Sequence, residues 1–294
     1  MDRHIIETIG KTKVVVEDGK VVEVEDPPEG LEYCYVVHSI SNFVKASSIE
    51  KMMPSLPRLG VEMRIKQWGM CTDERMIESE DDGIDFGVSE ITSCAIRSKL
   101  LDAAVVACDG AGTVMASDPK VVQGIGKAMS GLVETSPLQG VISRLKERGC
   151  IILDEDNASM DQVQGLKMAF DNGWEKVGVT LADLDTAKRC REVEEEAGKT
   201  AVLIGVHTTG MSADDAEEFL KTVDITTACA SKYLREFAGK YAILQLGVAI
   251  PIFAISEVGR EILLNRVKCM KKQVLIKTID LPELPEDRQP RPLL

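Results

Sequence analysis

Residues 176–207 read KVGVTLADLDTAKRCREVEEEAGKTAVLIGVH, and this stretch decides the fold. Residues 176–181 and 200–207 are short apolar runs, and residues 183–197 between them follow a helical pattern. Runs of that length read as strands buried on both faces. A strand, a helix and a strand in that order need a crossover, and a crossover makes the two strands parallel.

The same rhythm extends outward. Apolar runs recur at 103–108, 150–153, 224–228 and 241–248, with helical patterns at 88–101 and 212–223. Ser212, with Asp214 and Asp215 behind it, has the capping hydroxyl and first-turn acids of a helix start. Residues 250–268 add a strand and a long last helix, and 274–279 reads as a returning edge strand. The expected class is α/β, a mostly parallel sheet with helices on both faces, plus an N-terminal β-hairpin and helical extension. The hairpin is 13–25, two β-branched runs joined at Asp18-Gly19, where the turn needs positive φ. Residues 47–69 are helical in pattern but interrupted by Pro54 and Pro57. The expected division is a hairpin and helical cap over 1–84, an α/β domain over 85–280, and a Pro-rich tail over 281–294, extended or disordered.

The chain has 294 residues, enough for one large core or two modest ones. With 44% hydrophobic and only 4% aromatic residues, that core is aliphatic. A net charge of −13, without any run of Lys or Arg, opposes nucleic acid and anionic membranes as partners. The N-terminus lacks the pattern of a signal peptide. The most apolar stretch, 242–255, is too short to span a bilayer and is broken by Gln245, Gly247 and Pro251. A cytoplasmic protein is expected.

Eight cysteines then need an explanation. Disulfides are disfavoured in the cytoplasm, which leaves buried apolar residues, metal ligands or reactive thiols. No two are spaced C-x-x-C, so any metal site must be assembled from distant segments. Cys94, Cys190 and Cys269 lie in helical patterns and Cys150 begins a strand, and these four read as structural.

In open parallel sheets, ligands bind beyond the carboxyl ends of the strands. One expected strand ends at Cys108-Asp109-Gly110-Ala111-Gly112-Thr113, the next at His207-Thr208-Thr209-Gly210, and a third at Cys229-Ala230-Ser231-Lys232. Cys108, His207 and Cys229 are therefore the catalytic candidates, and Gly110, Gly112, Thr113, Thr208 and Thr209 the candidate cofactor contacts. Glycines let backbone N–H groups approach an anion or a sulfide closely. The plainer alternative is that such cysteines are core and that Asp109 and Asp183 are turn or capping residues. Gly110 to Met115 lacks the third glycine of a dinucleotide fingerprint, and the chain has neither a P-loop nor a nucleophile elbow. There is no nucleotide signature. Cys34 and Cys71 lie outside the regular elements and are harder to read as core. Cys34 and His38 are also spaced for shared metal ligation.

Several phrases carry a family resemblance: the hairpin at 12–24 with Glu32-Tyr-Cys34, Trp68-Gly-Met-Cys-Thr72, Ala107-Cys-Asp-Gly-Ala-Gly-Thr-Val114, Ser130-Gly-Leu-Val-Glu-Thr135, His207-Thr-Thr-Gly210 and Ala228-Cys-Ala-Ser-Lys232. Together they resemble the methanogenesis marker protein 8 family of archaea, from the hairpin to about residue 268, apart from 36–55. The resemblance implies a role accompanying methane formation, and an occurrence like that of proteins that mature or activate methyl-coenzyme M reductase. It carries over no catalytic residues. Cys34, Cys71, Cys108 and Cys229 all fall within these phrases, and four thiolates are the ligand set of a [4Fe–4S] cluster, or of zinc. Three expectations follow. The first is an iron–sulfur accessory protein acting with the reductase or its maturation proteins. The second is a thiol-dependent enzyme on a methanogen cofactor or another small molecule, with Cys108 or Cys229 as nucleophile and His207 as base. The third is a non-catalytic assembly subunit.

Overall fold

The computed structural model describes residues 2–27, 29, 55–129 and 131–294. The chain opens with β1 (Arg3–Glu7), β2 (Lys13–Glu17) and β3 (Lys20–Val24). Asp18 and Gly19 join β2 to β3 at φ of 46° and 72°, the turn read from the sequence. A strand from much later, β6 (Gly131–Thr135), pairs antiparallel with β1 and completes a sheet of order β3-β2-β1-β6. Helix α1 (Leu56–Trp68) buries Val61 and packs Ile65 among Ile6, Val14 and Val16 of this sheet.

The larger sheet holds β4 (Ala103–Cys108), β5 (Gly112–Ala116), β7 (Ile151–Ile152), β8 (Lys176–Leu181), β9 (Thr200–Gly205), β10 (Ile225–Thr227), β11 (Leu244–Leu246) and β12 (Ile252–Ala254). Their order is β11-β12-β10-β9-β8-β4-β5-β7. Only β4, β8, β9 and β10 are parallel to one another. The remaining pairings are antiparallel, so the sheet is mixed rather than mostly parallel. Two tight turns cause this. Gly110 and Gly112, at φ of 83° and 70°, fold β4 straight back into β5 and place Cys108 opposite Gly112. A turn through Gly247, also at positive φ, and Pro251 returns β11 into β12. A hairpin needs no helix, and without a crossover the strands cannot be parallel.

Helices cover both faces, as expected. On one face α2 (Val88–Arg97), α3 (Pro119–Ala128), α4 (Gln139–Glu147) and α9 (Glu257–Cys269) share a core with Val106, Ile204 and Ile225. On the other, α5 (Gln162–Asp171), α6 (Leu184–Ala197), α7 (Ala213–Thr222) and α8 (Lys232–Tyr241) pack on Val105, Leu203 and Phe253. Adjacent strand residues point to opposite faces, which is why Val105 and Val106 enter different cores. The Ser212 hydroxyl caps α7 by accepting from the Asp215 N–H at 3.2 Å.

Three expectations are corrected. Residues 274–279 form no strand, and Leu275 and Ile276 stand 86% and 71% exposed. The tail is not loose: Leu294 donates its N–H to Ala230 O and accepts from the Lys232 N–H, both at 2.9 Å, while Gln289 Nε2 donates to Val248 O. Proline limits the freedom that such a segment loses on docking. Finally, Cys94 and Cys269 are joined by a disulfide, because α2 and α9 lie side by side with the two Cα atoms 6.9 Å apart. Cys150 and Cys190 are free and buried.

Beneath the carboxyl edge of the larger sheet lies one wholly buried ion pair, Arg75 with Asp109. Arg75 Nε donates to Asp109 Oδ1 at 2.8 Å, and its terminal nitrogens donate to the carbonyls of Met76, Gly124 and Ile125. Asp109 Oδ2 accepts the Cys71 N–H at 2.6 Å. Removing one partner strands the other charge, at a cost of about 3–5 kcal/mol. Arg75→Met is expected to lower the unfolding free energy by that amount in urea titrations. The double variant with Asp109→Leu should lose less than the sum of the two single changes.

Candidate functional site

The carboxyl ends of β4, β8 and β9 open into a cleft of about 1030 Å3, in the crevice that the strand-end rule indicates. Its walls come from α1, the start of α2, the end of α3, and the first turns of α5 and α6. Most of its carboxylates are engaged by the protein. Asp161 caps α5 through the Gln164 N–H at 2.9 Å, and Asp183 caps α6 through the Thr186 N–H at 2.8 Å. Glu90 is buried and accepts from Gly83 N at 2.8 Å, Ser89 Oγ at 2.9 Å and Gln123 Nε2 at 3.0 Å.

His207 differs from these. It stands just past β9 with φ at 55°, a conformation uncommon outside glycine. Its ring rests on Gly131 of β6, where an added Cβ would lie 2.3 Å from Nε2. Glu7, from the end of β1, brings Oε2 to 2.6 Å from Nε2. This hydrogen bond is the main reason the Glu7 carboxyl is held below its ordinary value of 4.5, against the opposing effect of burial. An ionised carboxylate can only accept, so Nε2 donates its N–H to Glu7 and, in the neutral ring, Nδ1 is the acceptor nitrogen. The contact also spans the two sheets, since Glu7 belongs to the smaller and His207 follows a strand of the larger.

The other residues singled out in the sequence are placed as follows. Thr208 donates its hydroxyl to Thr227 O at 2.8 Å, and Thr209 Oγ accepts from Ala230 N at 3.1 Å. Thr113 bonds to Gln162 and to the N–H of Asp161. Gly110 N–H donates to Thr135 Oγ at 2.8 Å, and Gly112 packs against the backbone of Ala158. All five are engaged in holding the chain. Asp109 is a turn residue, between β4 and β5, and is also half of the buried ion pair. Cys108 is fully buried, its thiol pushed up to about 12 by burial and the nearby Asp109 charge. Cys71 is buried on the other side of Asp109, to which its N–H donates, and its thiol is raised for the same two reasons, with Cys108 adding to them. Cys229, half-buried at φ 39°, has its sulfur 3.2 Å from Thr227 Oγ. It follows β10, three strands from β4, or about 14 Å at the usual strand spacing. Cys34 and His38 lie outside the described residues. Among the described residues, no three His, Cys, Asp or Glu side chains are grouped so as to hold a metal ion.

Two residues, one behind His207 and one on the cleft wall, were not signalled by motif. Glu7 lies in a segment whose alternation, His4 and Ile6 inward, Arg3 and Glu7 outward, marks a strand but not a site. Arg64 sits on α1 and lines the same cleft as His207, and no local pattern separates it from a surface arginine.

The fold and cleft define an α/β protein with a strand-end crevice sized for a small molecule. The chain belongs to the archaeal family described as "Uncharacterized protein conserved in archaea (DUF2099)", whose profile matches residues 4–268. The Methanocaldococcus jannaschii protein named "Uncharacterized protein MJ0054" is 40% identical over 294 residues, covering the whole of both chains. Among the described residues no helix is long and apolar enough to cross a membrane.

The depressed Glu7 pKa has a sign that can be checked. A carboxyl lowered by folding stabilises the protein above its unfolded pKa, and that contribution is lost as pH falls through the folded one. The difference in denaturation midpoint between wild type and Glu7→Gln is expected to be full at pH 7 and to shrink progressively below pH 4.5.

Proposed function

We propose that this protein is an enzyme that binds a small organic molecule in the strand-end cleft and moves a proton on it. His207 is the general base and Glu7 the residue that orients it. The observation that carries this reading is the 2.6 Å contact of Glu7 with His207, which lines the cleft. A carboxylate on one ring nitrogen fixes the tautomer and stabilises the imidazolium formed when the other nitrogen takes a proton. Among the described residues no cysteine lines the cleft, so His207 acts on the ligand or a water rather than on Cys108 or Cys229. The resemblance to the methanogenesis marker protein 8 family supports a ligand drawn from methane-forming metabolism.

The test is to incubate the protein with the small-molecule fraction of a methane-forming archaeon and follow all species by mass spectrometry. Wild type is expected to convert at least one species, and His207→Asn to bind it while converting it about 10²–10⁴-fold more slowly. An extract left unchanged by wild type, or converted equally by both, overturns the reading.

A second reading is an iron–sulfur accessory protein of the methyl-coenzyme M reductase system, with Cys34, Cys71, Cys108 and Cys229 as ligands. The placement of Cys71 and Cys108 against the same residue, Asp109, favours it. The distance of Cys229 means that another donor would have to stand in its place. Iron and acid-labile sulfide in protein purified without oxygen, lost in Cys71→Ser, would support this reading, and metal-free protein would remove it.

A further inference from the structure

Arg64 lines the cleft from α1, and its Nη1 is buried with no hydrogen-bond partner among the described residues. A guanidinium stays charged in a protein and presents several donors, so a buried N–H without an acceptor is costly. Burial also pulls its pKa down. The other cations of the cleft have partners. Lys127 donates to Ser79 Oγ and Asp81 O at 3.2 and 3.3 Å, and Arg189, half-exposed, stands 3.8 Å from Asp185. The carboxylates Glu90, Asp161 and Asp183 accept from protein N–H and hydroxyl groups, as described above. One positive charge is thus left with unmet bonding capacity, beside apolar wall supplied by Met63, Trp68 and Leu132.

We infer that the cleft takes an amphipathic anion, with an oxyanion head on Arg64 and an apolar body along the wall that Trp68 begins. This rests on the reading of the cleft as a small-molecule site and adds the class of ligand. The head is a carboxylate or a phosphate, which share the planar or triangular array of acceptors that a guanidinium fork meets. Trp68 follows Arg64 by four residues on α1, one turn along the same helix face, so its fluorescence reports on the head-group position.

The experiment uses the full chain with Trp174→Phe, which leaves Trp68 as the sole tryptophan of the sequence's two. Hexanoate, hexyl phosphate and 1-hexanol are titrated against Trp68 emission. One or both anions are expected to bind about tenfold tighter than the alcohol, the worth of a charge-assisted hydrogen bond, and the tighter of the two identifies the head. Arg64→Met is expected to erase that preference while still binding hexanol, and to melt no lower than its parent without ligand. Arg64→Lys should restore part of the preference. Equal binding of all three probes by the parent, or a preference that survives Arg64→Met, overturns the inference. His207→Asn should keep the anion preference, so a failed base leaves this result standing. Failure of every probe to bind removes the ligand class and the cleft reading together.

Discussion

The buried pair of Arg75 and Asp109 is the contact on which the carboxyl edge of the larger sheet depends. Asp109 belongs to the turn between β4 and β5, and Arg75 to the segment that follows α1. Through the same guanidinium, the carbonyls of Gly124 and Ile125 near the end of α3 are satisfied, as helix ends require. The turn, the segment and the helix are therefore fixed to one another by a single side chain. Because water is excluded, every acceptor around it has to be in place at once, and such a network tolerates little displacement. The cleft wall inherits that rigidity.

Against this fixed edge, the candidate site is built by the smaller sheet. β6 leaves the α/β region, pairs with β1, and so carries Glu7 to His207, just past β9. Gly131 on β6 is bare of a side chain where the imidazole lies against it. The backbone at His207 is left-handed, and strain of this kind is held by its surroundings. Of the neighbouring carboxylates, Asp161 and Asp183 cap helices and Glu90 is held by three protein donors. His207 and Arg64 are left facing the cleft with capacity to bond.

Much of this architecture is legible in local sequence. Short apolar runs mark β4, β8, β9 and β10, Asp18-Gly19 marks the hairpin, and Ser212 marks the start of α7. The mixed sheet is not legible there, because Gly110-Ala-Gly112 has the composition of a phosphate loop and of a hairpin turn alike. Whether the chain goes on into a helix or folds back is decided by what packs behind it, including the Ala158 backbone against Gly112. His207 is readable because a strand end is a place that topology favours for ligands. Glu7 is not, since its partner is 200 residues away. The thiols mislead for a related reason: a cysteine at a strand end looks the same in sequence whether it is buried, as Cys108 is, or half-buried, as Cys229 is.

The disulfide between Cys94 and Cys269 has a mechanical meaning. It joins two residues 175 positions apart into a covalent ring that contains every strand of the larger sheet. The strands β1, β2 and β3 lie outside the ring, yet β1 is paired with β6, which lies inside it. Tension applied to the two ends of the chain would therefore pass through the bond and not through the sheet. The outer segments would peel away first, taking Glu7 from His207 while the enclosed strands still stood paired.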